Sequence, residues 1–183
     1  MDLIEQEREK YRKAWDFDGY RVSSPGLRHL EEALKWMQPR PGASITDWGS
    51  GSGKASEAMR DKGFAVRMVD IAANAYRGTM PVTEACLWSM GDDIGPTEYG
   101  YCADVMEHIP TEKVDDVLDG IAKRTIRKCY FQIALFEDTC FTHAGPLHLS
   151  VFPAEWWMEK LERKFKVCEY RKIRMVHLLA VCE

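Results

Sequence analysis

The chain has 183 residues, carries a formal net charge of -4, and is 45% hydrophobic and 30% charged. That length suits one domain around a single core, and the mild acidity argues against a surface built to grip nucleic-acid phosphates, so no sequence-specific nucleic-acid binding is expected. No run reaches the roughly 18 to 20 apolar residues that cross a bilayer, no secretory segment opens the chain, and the six cysteines form no CxxC pair. The expectation is a cytoplasmic protein without a membrane contact or structural zinc.

In chain order, Leu3, Tyr11 and Trp15 within a charged run predict a helix from Asp2 to about Trp15. The turn-rich stretch Asp16–Gly26 predicts a loop. Ser23 or Ser24 then caps a second helix, with Pro25 near its first position and Leu27, Leu30, Leu34 and Met37 at helical spacing. Ala43–Asp47 predicts a strand, followed by a glycine loop and a helix that runs to about Lys62 and stops at Gly63. Phe64–Asp70, Glu84–Met90 and Tyr99–Asp104 predict three more strands, and Pro110–Thr125 an amphipathic helix. Lys128–Phe136 is a near-continuous apolar run, as expected of a strand covered on both faces. A long loop leads to a helix opened by Pro153, and the chain closes with two strands, "KVCEYRKI" and "MVHLLAVCE". This alternation predicts an α/β fold: a mostly parallel sheet with a late antiparallel strand.

The glycine loop lies in "ITDWGSGSGKASEAM", Ile45–Met59. A P-loop would need glycine where Trp48 stands and Ser or Thr where Ala55 stands. A dinucleotide fingerprint fits Gly49 and Gly51 but meets Lys54 at its third glycine. The remaining pattern is D-x-G-x-G-x-G, on Asp47, Gly49, Gly51 and Gly53. Lys54 then reads as an exposed residue of the first helical turn.

This stretch resembles motif I of class I S-adenosylmethionine-dependent methyltransferases. "RMVDIAANA" resembles their second motif, "YGYCADVMEHIP" their fourth-strand segment, and the closing pair of strands their last two. The resemblance implies a Rossmann-like fold: a seven-stranded, mostly parallel sheet with an antiparallel last strand and helices on both faces. It also implies a single domain, with residues 1–42 as a helical lid and 43–183 as the core. S-adenosylmethionine would be held by Asp47, Gly49, Gly51 and Gly53. Asp70, about twenty residues beyond the first glycine, would take the ribose hydroxyls. Leu87, Trp88 and Ser89 would line the adenine slot, and Ile71 and Asp104 would complete the cofactor site. Relatives often carry an acid early in the segment after the third strand, where this chain offers only Glu84 or Asp92.

Asp104, Glu107 and His108 are spaced i, i+3, i+4 and would share one face of a helical turn. Some members of the family bind a divalent metal through E-x-x-E-H here and a later histidine. This chain has D-x-x-E-H, with His143 and His148 in the long loop. A carboxylate–imidazole set of this kind suits magnesium, manganese or zinc, although Glu-His is also common in metal-free members. His148 is the leading candidate for base or substrate orienter, with Glu107 and His108 beside it. His177 reads as structural and His29 as solvent-facing. One of Trp156 and Trp157 would face the pocket, since neighbours on a helix point about 100° apart. Tyr20 or Arg21 would reach the site from the lid.

No [DNS]-P-P-[YF] or Pro-Cys motif marks a base methyltransferase, so the expected acceptor is a small molecule or nucleotide, methylated at oxygen or nitrogen. The alternative is a module with this fold that binds S-adenosylmethionine without transferring its methyl group.

Overall fold

The computed structural model describes residues 2–21, 25–138, 145–174 and 177–183. Seven strands, β1 (Ser44–Trp48), β2 (Ala65–Asp70), β3 (Val82–Glu84), β4 (Thr97–Ala103), β5 (Thr125–Ala134), β6 (Val167–Ile173) and β7 (His177–Cys182), form one sheet in the order β3-β2-β1-β4-β5-β7-β6. The first five run parallel, whereas β7 pairs antiparallel with both β5 and β6. The helices are α1 (Leu3–Asp16), α2 (Asp18–Arg21), α3 (Leu30–Met37), α4 (Lys54–Asp61), α5 (Val114–Lys123) and α6 (Ala154–Glu162). Among the described residues no helix is long and apolar enough to cross a membrane.

Period-two alternation divides the core between the two faces of the sheet. Leu178, Ala180 and Cys182 of β7 pack with Val117, Leu118 and Ile121 of α5 and Trp157 and Leu161 of α6. Leu179 and Val181 face the other way, toward Leu30, Ala33 and Met37 of α3 and Met59 of α4. A smaller cluster of Trp15, Ala72 and Ala75 joins α1 to the exit of β2. The aliphatic stretch of β5 is buried on both sides, as its composition requires.

Strand order reverses at β1, which lies between β2 and β4. In an open α/β sheet this is the switch point where a crevice opens at the carboxyl ends of the strands. Polar ties hold α1 beside that crevice. Arg12 Nη2 donates to Glu84 Oε1 at 2.9 Å, and Asn74 Nδ2 donates to the Arg12 carbonyl at 3.0 Å. Arg21 donates to the carbonyls of Ala75 and Asn74, both at 2.8 Å.

Three expectations change. The stretch read as a loop after Trp15 contains α2 and a 3₁₀ turn at Pro25–Leu27, and α3 begins only at Leu30; Ser23 and Ser24 lie outside the described residues. The third strand is Val82–Glu84 rather than Glu84–Met90. The apolar run that follows forms a turn whose Leu87, Trp88 and Met90 pack on the core as side chains, without backbone pairing. The fifth strand starts early, at Thr125, because its exposed Ile126 and Arg127 extend β5 beyond the buried part.

Candidate active site

At the end of β1 the chain turns through three glycines with positive φ: Gly49 at 72°, Gly51 at 49° and Gly53 at 74°. A Cβ on Gly49 would meet Val105 at 2.5 Å, and one on Gly51 would meet the Trp15 indole at 3.0 Å. The loop is fastened to β2 by Gly49 N–H and Ser50 N–H, which donate to the Val69 carbonyl at 2.8 and 3.1 Å. Glycine is needed here for both conformation and close approach.

Asp70 closes β2 and faces this loop. Its Oδ2 accepts from Gly51 N–H at 2.8 Å and its Oδ1 from Ala72 N–H at 2.9 Å. Burial pushes its carboxyl up to about 6, and the two backbone hydrogen bonds only partly offset this. Asp47, in β1, accepts from Ser56 Oγ at 2.5 Å and is pushed by burial to about 7.

Asp104 follows β4 with φ at 52°. Gln132 clamps it: Asp104 N–H donates to the Gln132 carbonyl at 2.9 Å, and Gln132 Nε2 donates to Asp104 Oδ2 at 2.5 Å. Asp104 Oδ1 is buried without a hydrogen bond among the described residues, and His177 Nε2 lies 3.5 Å from it. The left-handed conformation at Asp104 keeps it out of the turn that follows. The helical turn begins after Asp104: Glu107 and His108 sit in a 3₁₀ turn, Met106–His108, while Asp104 precedes it, against Gln132 and His177 and close enough for its charge to act on Glu107, so the three still line one cavity.

That turn meets the segment before α6. Leu149 N–H and Ser150 N–H donate to the Glu107 carbonyl at 2.8 and 2.9 Å. His148 Nδ1 lies 2.7 Å from the Phe136 carbonyl and His108 Nδ1 lies 3.1 Å from the Leu147 carbonyl. A carbonyl only accepts, so each Nδ1 carries a hydrogen, and in the neutral ring it is Nε2 that offers the lone pair. The Tyr11 hydroxyl, 3.0 Å from His108 Nδ1, directs its own hydrogen at the Leu147 carbonyl. The two imidazoles stand edge to face at 4.7 Å.

Glu107 is fully buried, and both its carboxyl oxygens lack a hydrogen bond among the described residues. Burial first, and then the charge of Asp104, hold it well above the usual carboxylate range. Burial, with the neighbouring His148, takes His108 down to about 3, so its ring is neutral. One ligand atom from each of Glu107, His108 and His148 falls within a sphere where all lie within 4.8 Å of one another. His143, the other loop histidine, lies outside the described residues.

Two adjoining cavities occupy the crevice. One of about 330 Å³ is lined by Asp47, Asp104, Glu107, His108 and His148, and by Phe136 and His177. One of about 90 Å³ is lined by Asp70, Ile71, Leu87, Trp88, Val105 and Ile109, with Glu7 and Tyr11 of α1. Trp15, Tyr20, Gly49, Gly51, Asp104 and His108 border both, so the two lie side by side.

The structure thus brings together every expected site residue except Gly53, which lies behind the loop against Tyr76 and Met68, and Ser89, which lines neither cavity. Lys54 is exposed, as its place in the first turn predicts. Neither tryptophan of α6 reaches the crevice. Trp157 is fully buried, and Trp156 stacks on Phe152 at 4.1 Å, because both faces open to them are apolar core. Arg21 is engaged with backbone carbonyls, and only Tyr20 of that pair lines the site. His29 is half-buried between Glu32 and His177 rather than solvent-facing, because it caps α3 over the end of β7.

Sequence reasoning did not place His177, Phe136 or Glu7 at the crevice, whose walls they join. His177 reads as structural because it alternates with apolar residues, yet it lines the larger cavity. The missing signal is direction: β7 is antiparallel, so its first residue stands opposite Ala134, the last residue of β5, at the edge where the parallel strands end.

No protein-family model matches the sequence, and no curated protein matches it. Solved structures do. The chain is similar to the Burkholderia thailandensis 1,6-didemethyltoxoflavin-N1-methyltransferase, solved with 1,6-didemethyltoxoflavin and S-adenosylhomocysteine bound. The TM-score is 0.74 at 16% identity, over 97% of this chain and 86% of that one. It is similar to the N-methyltransferase NodS of Bradyrhizobium japonicum with S-adenosylhomocysteine, with TM-score 0.68 at 14% identity over 99% and 98% of the two chains. The magnesium protoporphyrin IX methyltransferase of Synechocystis with S-adenosylmethionine gives 0.65 at 16% identity over 95% and 89%. The fold of this chain is that of the class I S-adenosylmethionine-dependent methyltransferases.

Proposed function

We propose that the chain transfers the methyl group of S-adenosylmethionine to an oxygen or nitrogen of a small-molecule or nucleotide acceptor. The observation that carries this reading is Asp70. It is tied to the glycine loop through Gly51, yet each of its oxygens keeps a lone pair for a ribose hydroxyl. The residues fit the rest of the nucleoside. Ile71, Leu87, Trp88 and Ile109 make an apolar slot for a base. Asp104 Oδ1, buried without a hydrogen bond, suits the ammonium group of the methionine part. The similar Burkholderia enzyme holds a small-molecule acceptor and S-adenosylhomocysteine together.

Bound S-adenosylmethionine would supply a sulfonium-activated methyl group. His148 Nε2, its tautomer set by the Phe136 carbonyl, accepts the proton that the acceptor loses. Glu107 and His108 hold the acceptor beside it, and Phe136 supplies an apolar wall. Residues 1–42 act as a lid: Tyr11 reaches His108 and the Trp15 indole covers Gly51.

The three convergent groups Glu107, His108 and His148 carry a second reading, in which His148 Nε2 is a ligand to a divalent cation and not the base. Each imidazole is anchored through Nδ1 on a carbonyl, the arrangement that orients a metal-binding Nε2. Magnesium, manganese or zinc there would polarise an acceptor oxygen.

Calorimetry with S-adenosylhomocysteine, followed by single-turnover transfer of labelled methyl to fractionated metabolites, tests the reading. The wild type should bind and form product, and His148→Ala should bind but lose product. A wild type that does not bind the nucleoside ends the proposal. Binding without product, indifferent to His148→Ala, identifies a non-catalytic module. A manganese titration that responds to Glu107→Gln tests the cation independently.

A further inference from the structure

Building on that cofactor reading, we propose that Glu7 of α1 receives the exocyclic amino group of the nucleobase and so selects adenine over a 6-oxo purine. Three carboxylates line the smaller cavity among the described residues: Glu7, Asp70 and Asp104. Asp70 is committed to the glycine loop and the sugar. Asp104 belongs to the end shared with the larger cavity, where Gln132 clamps it. Glu84, which ends the third strand, and Asp92, which follows it, are both out of play. Glu84 accepts from Arg12 at 2.9 Å and from Ala73 N–H at 3.0 Å, with Arg8 Nε at 3.6 Å. Asp92 is exposed and lines neither cavity.

Glu7 occupies the remaining position. It lies one helical turn before Tyr11 and lines the slot with Leu87 and Trp88. Its charge reaches Cys86, the residue before Leu87; after burial and other influences it contributes to holding that thiol at about 11. Its side chain is 12% exposed and ion-paired with Lys10, which stands 5.2 Å from the Tyr11 ring centroid. The ion pair offsets the charge of Glu7 within the apolar wall while leaving lone pairs on the carboxylate. An amino group donates to such a carboxylate. A keto oxygen in its place would set two acceptors against each other. The ties of Arg8 and Arg12 to Glu84 hold α1 in register, so the acceptor left for the base comes from the segment before the core.

The test is calorimetric titration of the full chain with S-adenosylhomocysteine and with S-inosylhomocysteine, its 6-oxo counterpart. Wild type should bind the adenosyl compound at least about tenfold more tightly, the effect of one hydrogen bond to a charged group. Glu7→Ala should weaken binding of the adenosyl compound, bind the inosyl one no more weakly than the wild type does, and bring the ratio near unity. Glu7→Gln keeps an accepting oxygen and should recover part of the preference. Asp92→Asn, at an exposed acid that lines neither cavity, should leave the ratio as in the wild type. The inosyl affinity doubles as a folding control. An unchanged ratio in Glu7→Ala, or an equal loss of both ligands, overturns the role of Glu7 while the cofactor reading stands. A wild type that binds neither compound removes both.

Discussion

Asp70 carries opposed demands at the scale of one residue. Burial favours its neutral form, with a carboxyl at about 6, whereas two ribose hydroxyls donate best to the ionised form. Affinity for S-adenosylhomocysteine should therefore rise with pH through 6 and level off above it, by at most tenfold per unit. Calorimetry in two buffers of different ionisation heat at pH 6 should register proton release. Asp70→Asn should abolish that pH dependence. Asp70→Ala should weaken binding by about 1 to 3 kcal/mol, the range for losing charged hydrogen bonds; unaltered affinity would refute the ribose role. Lys54, exposed at the start of α4, should be replaceable by Ala with affinity kept within about twofold, because a solvated first-turn lysine contributes little.

At the scale of elements, the loop between β1 and α4 combines conformation with crowding. Gly49→Ala puts a methyl group into Val105 at a φ of 72°. Such strain costs about 1 to 3 kcal/mol, so the urea midpoint should fall and nucleoside affinity should drop with it. This element was legible in the sequence because its chemistry is local: four residues, Asp47, Gly49, Gly51 and Gly53, set the turn, the helix start and the acid before them. The same holds for β2 and β4, whose ends carry Asp70 and Asp104. β3 was misplaced because a buried apolar run looks alike whether it pairs its backbone or walls a cavity. Asp104 and Glu107 do meet in the crevice, but not on one helical face: the φ of 52° at Asp104 starts the turn later, and i, i+3, i+4 implies a common face only inside a helix. Glu7 and His177 were illegible for another reason: each reaches the crevice through the tertiary placement of a distant element, α1 or the antiparallel β7.

The whole molecule feels the same buried acids through its stability. The carboxyl of Asp47 lies at about 7 and that of Asp70 at about 6, against an ordinary value of 3.8. Raised folded-state values mean that the folded chain holds protons more tightly than the unfolded one. Their stabilising contribution is complete below about pH 4 and is lost as pH rises through 6 to 7. The unliganded protein should accordingly show a lower urea midpoint at pH 8 than at pH 5. Asp47→Asn, which cannot ionise, should flatten that slope.

The placement of β7 has a consequence for biosynthesis. It follows β6 in the chain, yet it lies between β5 and β6 in the sheet. A ribosome-bound intermediate that ends at Ile173 has β6 with no neighbour and β5 with one flank bare, and the chamber that His177 borders is unfinished. Exposed strand edges of this kind recruit other chains. A stalled nascent polypeptide of that length should thus sediment or associate with chaperones, and release of a few more residues should convert it into a soluble, ligand-competent form.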